Sequence, residues 1–118
     1  MTILIQATHG AEDTEKATLP FLVANVAATA DQHVKIFLTS EAVRLVTDGY
    51  ATGIRHDGLP ALADLVNDCV ANGVEILACA ACLGPRGIDP GTLIAGATVV
   101  TAVNLVEELV AGAHTLAF

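Results

Sequence analysis

Basic residues are scarce in this sequence. Its 118 residues include 5 Lys and Arg against 13 Asp and Glu, which gives a formal net charge of −8. Such an excess of negative charge repels phosphate backbones and anionic lipid surfaces. Tryptophan is absent and aromatic residues make up 3% of the chain, so a platform on which bases stack is also missing. We therefore expect no binding to nucleic acid or to a membrane surface.

Long hydrophobic runs are also missing, although hydrophobic residues make up 53% of the chain. A membrane-spanning helix needs about 20 consecutive apolar residues. The first five residues lack the basic region and the length of a signal peptide. These features predict a cytoplasmic protein. Charged or amide side chains interrupt the most apolar stretches, at Asn25, Lys35, Arg44, Asp64, Glu75 and Glu107.

Short apolar runs alternate with stretches of helical periodicity along the whole chain. The runs predict strands at residues 2–8, 33–40, 74–78, 97–101 and 114–118. Apolar side chains recur at helical spacing from Leu19 to Ala30, where Pro20 predicts a helix that either begins near Thr18 or is kinked. Strands that are apolar throughout are typical of parallel sheets covered on both faces. We predict one α/β domain over residues 1–118, a three-layer α/β/α arrangement with a mostly parallel sheet of about five strands.

The three cysteines favour thiol chemistry over a disulfide framework, because their number is odd and no secretory signal is recognised. Cys69 falls on the apolar face of a predicted helix, where burial is the expected role. Cys79 and Cys82 form a C-x-x-C motif directly after the third predicted strand, a spacing that occurs in reactive thiol sites. We predict both as catalytic residues, with Arg86 close enough to stabilise a thiolate or persulfide anion.

Further candidates follow from where the predicted strands end. Ligands of open parallel sheets bind at the carboxyl ends of the strands. This edge collects His9 and Gly10 after the first strand and Ser40 and Glu41 after the second, which we predict as substrate-binding residues. The motif cysteines end the third strand. We expect no metal and no cofactor, because the sequence has neither a zinc-ligand pattern nor a nucleotide-binding glycine motif.

The cysteine segment resembles that of the DsrE/DsrF-like proteins. It reads VEILACAACLGPRGI at residues 74–88, and residues 16–25 and 34–39 are similar to the first helix and second strand of that family. The resemblance implies an α/β/α domain assembled into trimers or hexamers. It also implies that a rim cysteine accepts sulfane sulfur as a persulfide and passes it to a partner protein. Cys79 lies where the sulfur-relay members carry the acceptor cysteine, and Cys82 matches a second cysteine of some small members.

The resulting hypothesis is an intracellular sulfur carrier, sulfurtransferase-like if it is catalytic, that accepts a persulfide on Cys79. Two alternatives remain open: a thiol-disulfide redox protein that uses Cys79 and Cys82, and a non-catalytic oligomeric binding subunit. The high apolar fraction favours subunit contacts. We therefore expect a homotrimer or homohexamer, with a sulfur donor or acceptor protein as a further partner.

Overall fold

Five parallel strands form the centre of the computed structural model, which describes residues 1–118. The strands are β1 (Thr2–Ala7), β2 (His33–Leu38), β3 (Glu75–Cys79), β4 (Ala97–Val100) and β5 (His114–Ala117). The helices are α1 (Thr14–Thr29), α2 (Leu62–Ala71), α3 (Ala80–Leu83) and α4 (Ala102–Val110). Three 3₁₀ segments complete the structure: Ser40–Val46, Gly84–Arg86 and Pro90–Thr92. The strand order is β4-β3-β2-β1-β5, with every neighbouring pair parallel, so the predicted α/β fold is confirmed.

The larger hydrophobic core lies between the sheet and the helices α1 and α2. Ile5, Ile36 and Ile76 stand side by side in the parallel register of β1, β2 and β3, and all three are fully buried. Phe21 of α1 belongs to the same cluster of 22 buried residues. Burying one such side chain contributes about 1.5–3 kcal/mol. This row therefore fixes the three central strands relative to α1.

The second face of the sheet has a much smaller core. Four buried residues form it: Leu4, Phe37, Leu77 and Cys79. The helix α4 packs over them through Leu105, which is only partly buried. None of the residues of α4 is fully buried. A single shallowly packed helix therefore covers this face, and the three layers are unequal.

The chain reverses its direction across the sheet after β4. Strands β1 to β4 lie in sequential order, whereas β5 lies at the opposite edge, beside β1. Parallel crossovers are right-handed, so a reversed connection places its helix on the other face. The connection after β3 packs on the larger core through Leu83, whereas α4 after β4 packs on the smaller one. The carboxyl ends of β3 and β4 therefore flank a topological switch point, the place where open α/β sheets bind ligands.

The first helix begins earlier than Pro20 suggests. It begins at Thr14, where the carboxylate of Asp13 accepts the N–H of Lys16 as an N-cap, and it continues through Pro20. A start near Thr18 is therefore wrong. Proline removes one helical hydrogen bond, the one that the Lys16 carbonyl would accept. The burial of Pro20 and Phe21 offsets that loss.

The helices are also too short or too polar for a membrane span. None combines the length and the apolar character that crossing a bilayer requires.

Candidate functional site

Cys79 lies at the topological switch point. It is the last residue of β3 and pairs in register with Val100, the last residue of β4. Its exposed fraction is 7%, because it packs in the smaller core against Leu4, Phe37 and Leu77. Its side chain makes no capping hydrogen bond to α3. Cys79 therefore presents a largely enclosed sulfur with apolar neighbours.

Cys82 is more accessible and has a polar partner. It lies on α3, is partly buried, and its Sγ accepts the backbone N–H of Ser40 at 3.2 Å. Ser40 opens the 3₁₀ segment Ser40–Val46 with φ 53, a left-handed conformation that costs a non-glycine residue about 1–2 kcal/mol. In this conformation the N–H of Ser40 is directed at the sulfur. An N–H donor at that position stabilises negative charge on Cys82.

Arg86 bridges the cysteine turn and the 3₁₀ segment. Its Nε donates to Glu41 Oε1 at 3.1 Å, and its Nη1 donates to the carbonyl oxygen of Cys82 at 3.2 Å. Arg44 Nε donates to the other carboxylate oxygen of Glu41 at 2.6 Å. The sequence suggested Arg86 as the partner of a sulfur anion, but these contacts engage a carboxylate and a carbonyl. Arg86 therefore fixes the main chain of Cys82, and the N–H of Ser40 is the donor that contacts sulfur.

The ion pairs of Glu41 make this bridge sensitive to acid. The hydrogen bond from Arg44, and to a smaller extent the one from Arg86, lowers the pKa of Glu41 below its ordinary value of 4.5. A lowered folded-state pKa means that the stabilisation is present above pH 4.5 and is lost as the pH falls through the folded value. We expect NMR titration to give a Glu41 midpoint below 4.5, raised more by Arg44→Gln than by Arg86→Gln. An equal midpoint in all three proteins would contradict the ion-pair assignment.

Gly10 brings the loop after β1 against the same segment. An added Cβ would lie 2.9 Å from the carbonyl oxygen of Glu41 and 2.9 Å from the hydroxyl of Tyr50. That hydroxyl also accepts the N–H of Ala11 at 3.0 Å. Tyr50 was not predicted from the sequence, where its only signal is that it is the single tyrosine and lies in a glycine-rich stretch. Glycine is therefore required where the two loops meet.

His9 lies apart from these contacts. Its Nδ1 is 2.9 Å from the Thr8 hydroxyl, which donates its only proton to the carbonyl of Phe118. The proton between Thr8 and His9 therefore belongs to Nδ1, which leaves Nε2 of the neutral ring as an acceptor. The structure thus brings Gly10, Ser40 and Glu41 together with Cys82 and Arg86, whereas the hydrogen bond of His9 points to the β5 side.

Cys69 is buried, as its position on the apolar helix face predicted. It is 0% exposed, and its thiol donates to the carbonyl of Phe21 at 3.6 Å. Burial raises its pKa to about 12, so almost none of it is thiolate at neutral pH. The core role of Cys69 is confirmed.

Alkylation tests the burial of Cys69. With iodoacetamide at neutral pH, we expect Cys69 to stay unmodified in the folded protein, because the reagent attacks thiolates and needs access. Peptide mapping by mass spectrometry measures the modified fraction at each cysteine. Modification of all three in urea is the control. Labelling of Cys69 as fast in the folded protein as in urea would contradict its buried placement.

Residues 1–118 match the profile of the DsrE/DsrF-like family. The chain is 31% identical over 107 residues to an uncharacterised protein of Methanocaldococcus jannaschii, covering 91% of this chain and 39% of that protein. It is also 29% identical over 105 residues to an uncharacterised protein of Methanopyrus kandleri, covering 89% of this chain and 81% of that protein. The chain therefore spans well under half the length of the M. jannaschii relative.

Solved structures share the fold over nearly the whole chain. The ychN protein from E. coli has a TM-score of 0.84 at 22% identity, covering 100% of this chain and 99% of that chain. A conserved protein of unknown function from Bacteroides thetaiotaomicron has a TM-score of 0.71 at 21% identity, with coverages of 99% and 94%. A protein of unknown function from Methanobacterium thermoautotrophicum has 0.68 at 18%, with coverages of 99% and 96%. With its profile matched over all 118 residues, this chain belongs to the DsrE/DsrF-like family.

Proposed function

We propose that this protein carries sulfane sulfur, accepted as a persulfide at the Cys79/Cys82 pair and held on Cys79. The observation that carries the proposal is the position of the pair at the switch point, where one of its two sulfurs accepts a backbone N–H. Membership of the DsrE/DsrF-like family supports it, because the fold is of the sulfur-relay type. Sulfurtransferase activity would follow if a partner protein accepts the sulfur.

The surroundings of Cys79 suit the storage of a persulfide. Leu4, Phe37 and Leu77 enclose it on the sheet side, which limits the access of water and of soluble thiols. A stored persulfide, Cys79–S–SH, is discharged when an acceptor thiolate attacks the outer sulfur. The S–S bond then breaks, its electron pair stays on the Cys79 sulfur as thiolate, and the acceptor leaves as the new persulfide.

Mass spectrometry tests the proposal directly. Reduced protein is incubated anaerobically with glutathione persulfide, freed of the donor by gel filtration into buffer that contains glutathione as an acceptor thiol, and measured intact. We expect one added sulfur atom in the wild type, mapped to Cys79, and no retained sulfur in Cys79→Ser. Circular dichroism verifies that the variant is folded. A wild type that gains no sulfur, or a Cys79→Ser variant that retains it as well as the wild type, would overturn the proposal.

A dithiol-disulfide cycle is the second candidate. It is favoured by the placement of Cys79 directly before α3 and of Cys82 as its third residue, and by the packing of Cys82 on the cluster that contains Cys79. A Cys79–Cys82 couple with a potential of about −220 to −320 mV would support this function in a cytosolic setting. Stoichiometric release of sulfide from the donor, with a disulfide as the only protein product, would favour it over storage.

We also propose that a second copy of this chain covers the outer face of α4. Val103, Val106 and Val110 are 65%, 56% and 83% exposed there, and they line a groove of about 660 Å³. The single charged group in this lining is Glu107. Two chains of net charge −8 can meet at this face with few like charges brought together, while burying apolar surface that water otherwise solvates. In a homotrimer or homohexamer built on this contact, the apolar face of α4 would be covered in every subunit.

A charge on α4 should dissociate this assembly. We expect Val106→Asp to shift the protein from oligomer to monomer at micromolar concentration in analytical ultracentrifugation, because it places a carboxylate in the apolar contact. Val26→Asp on α1 is the matched control, since Val26 is 63% exposed on a different helix and should leave the assembly intact. A monomeric wild type, or dissociation by both substitutions alike, would contradict the proposal.

A further inference from the structure

We infer that Cys82 is the thiol that first attacks the sulfane-sulfur donor, and that the sulfur then passes to Cys79. The inference rests on the proposed sulfur carriage and assigns separate roles to the two cysteines. Cys79 is 7% exposed within an apolar cluster. Cys82 is only partly buried and lies next to the exposed Ser40. A donor approaching from solvent therefore meets the sulfur of Cys82 first.

The polar contacts at the carboxyl edge of the sheet converge on Cys82. The N–H of Ser40 donates to its Sγ at 3.2 Å, and the guanidinium of Arg86 donates to its carbonyl oxygen at 3.2 Å. Arg86 also donates to Glu41, in the same 3₁₀ segment as Ser40. One residue thus ties the main chain of Cys82 to the segment that supplies the N–H donor. The nucleophile and the group that stabilises its charge are held in one arrangement.

The first step transfers one sulfur atom without any net redox change. The Cys82 thiolate attacks the outer sulfur of a low-molecular-weight persulfide, R–S–SH. A bond forms between Cys82 Sγ and that sulfur, and the donor S–S bond breaks with its electron pair leaving on RS⁻. The proton stays on the transferred sulfur. The products are Cys82–S–SH and the free donor thiolate.

The second step moves the same sulfur inward. The Cys79 thiolate attacks the outer sulfur of Cys82–S–SH, and the electron pair of the breaking bond returns to Cys82 as thiolate. The products are Cys79–S–SH and a Cys82 thiolate that can react with another donor molecule. The order of the two cysteines in this route follows their exposure: entry at the accessible sulfur and storage at the enclosed one.

Rapid-quench mass spectrometry with glutathione persulfide tests this order in the full chain. We expect Cys82→Ser to gain its first sulfur at least about tenfold more slowly than the wild type, because it lacks the accessible sulfur supported by an N–H donor. Cys79→Ser should gain it at the wild-type rate, on Cys82, and lose it when glutathione is added, because that thiolate attacks the outer sulfur and the Cys82 thiolate leaves. Cys69→Ala removes a thiol that is 0% exposed in the larger core, so it should load at the wild-type rate. Loading of Cys82→Ser at the wild-type rate would overturn the inference.

A measurement that uses no sulfane-sulfur donor separates this inference from the proposed function. At limiting iodoacetamide, peptide mapping of the wild type should show Cys82 modified before Cys79. If Cys82 is modified first but no persulfide forms in the wild type, sulfur carriage fails and the assignment of the accessible nucleophile stands. If the persulfide forms but Cys79 is modified first, sulfur carriage stands and the entry role of Cys82 is overturned.

Discussion

Replacing Phe37 by alanine is expected to lower the free energy of unfolding by about 3–5 kcal/mol. Phe37 is 1% exposed and forms, with Leu4, Leu77 and Cys79, the whole buried core of the second sheet face. Removing its ring takes away part of the apolar surface against which Leu105 of α4 packs. Few neighbours are available to fill the cavity, so the cost should lie toward the upper end of this range. Urea denaturation followed by circular dichroism measures it.

Phe118→Ala is the matched control for Phe37→Ala. Phe118 is only partly buried, at the margin of the larger core, so the same change of side chain should cost clearly less. The Phe37→Ala variant should also show faster alkylation of Cys79, since the cavity opens beside its sulfur. Equal losses of stability in the two variants would contradict the expectation that Phe37 contributes more than Phe118 to the free energy of unfolding.

Gly10→Val is expected to cost about 1–3 kcal/mol and to disturb the cysteine site at the same time. A Cβ at this position meets the carbonyl oxygen of Glu41 and the Tyr50 hydroxyl, each at 2.9 Å. Relief requires the 3₁₀ segment Ser40–Val46 to move, and that segment carries the N–H that contacts Cys82. Denaturation gives the loss of stability, and the alkylation rate of Cys82 should change with it.

Gly91→Val serves as the comparison for Gly10→Val. The atoms nearest to a Cβ at Gly91 belong to the flexible carboxylate of Asp89, at 3.3 Å or more, and the residue is exposed. A change within about 0.5 kcal/mol is expected there, with no change in the reactivity of Cys82. A Gly10→Val protein as stable as the wild type, with unaltered Cys82 reactivity, would show that the two loops do not meet as described.

Much of the fold could be predicted because its strands are continuous apolar runs. The run around Ile76 and the helix from Ala102 to Val110 follow local patterns, and the structure has both. The helix start near Thr18 that Pro20 suggested was wrong, because the local penalty of proline is outweighed by burial that depends on the sheet behind it. The position of Cys79 at a strand end was also predictable, since the apolar run of the third strand ends beside it and alternating strands and helices imply a parallel sheet whose carboxyl ends share one edge.

The contacts of the site could not be predicted in the same way. The N–H of Ser40 reaches Cys82 across 42 positions of sequence, and only because Ser40 adopts a left-handed conformation that serine seldom favours. Arg86 is close to Cys82 in sequence, which suggested a contact with sulfur. Its guanidinium instead binds Glu41, because a carboxylate is a stronger partner for it than a neutral thiol. Hydrogen bonds of this kind depend on loop geometry and on competing hydrogen-bond partners, and neither produces a periodic pattern in the sequence.

The return of the chain from β4 to β5 has a consequence for the order of folding. Strands β2 to β4 each pair with the strand that precedes them in sequence, whereas β5 pairs with β1 at the far edge. The Thr8 hydroxyl and the carbonyl of Phe118 meet across 110 positions. Closing so long a loop is entropically costly and slow, so β5 should dock last, onto a preformed four-stranded sheet. Its amides would then gain protection from hydrogen exchange latest during refolding, and until that moment the edge of β1 stays open to pairing with other chains.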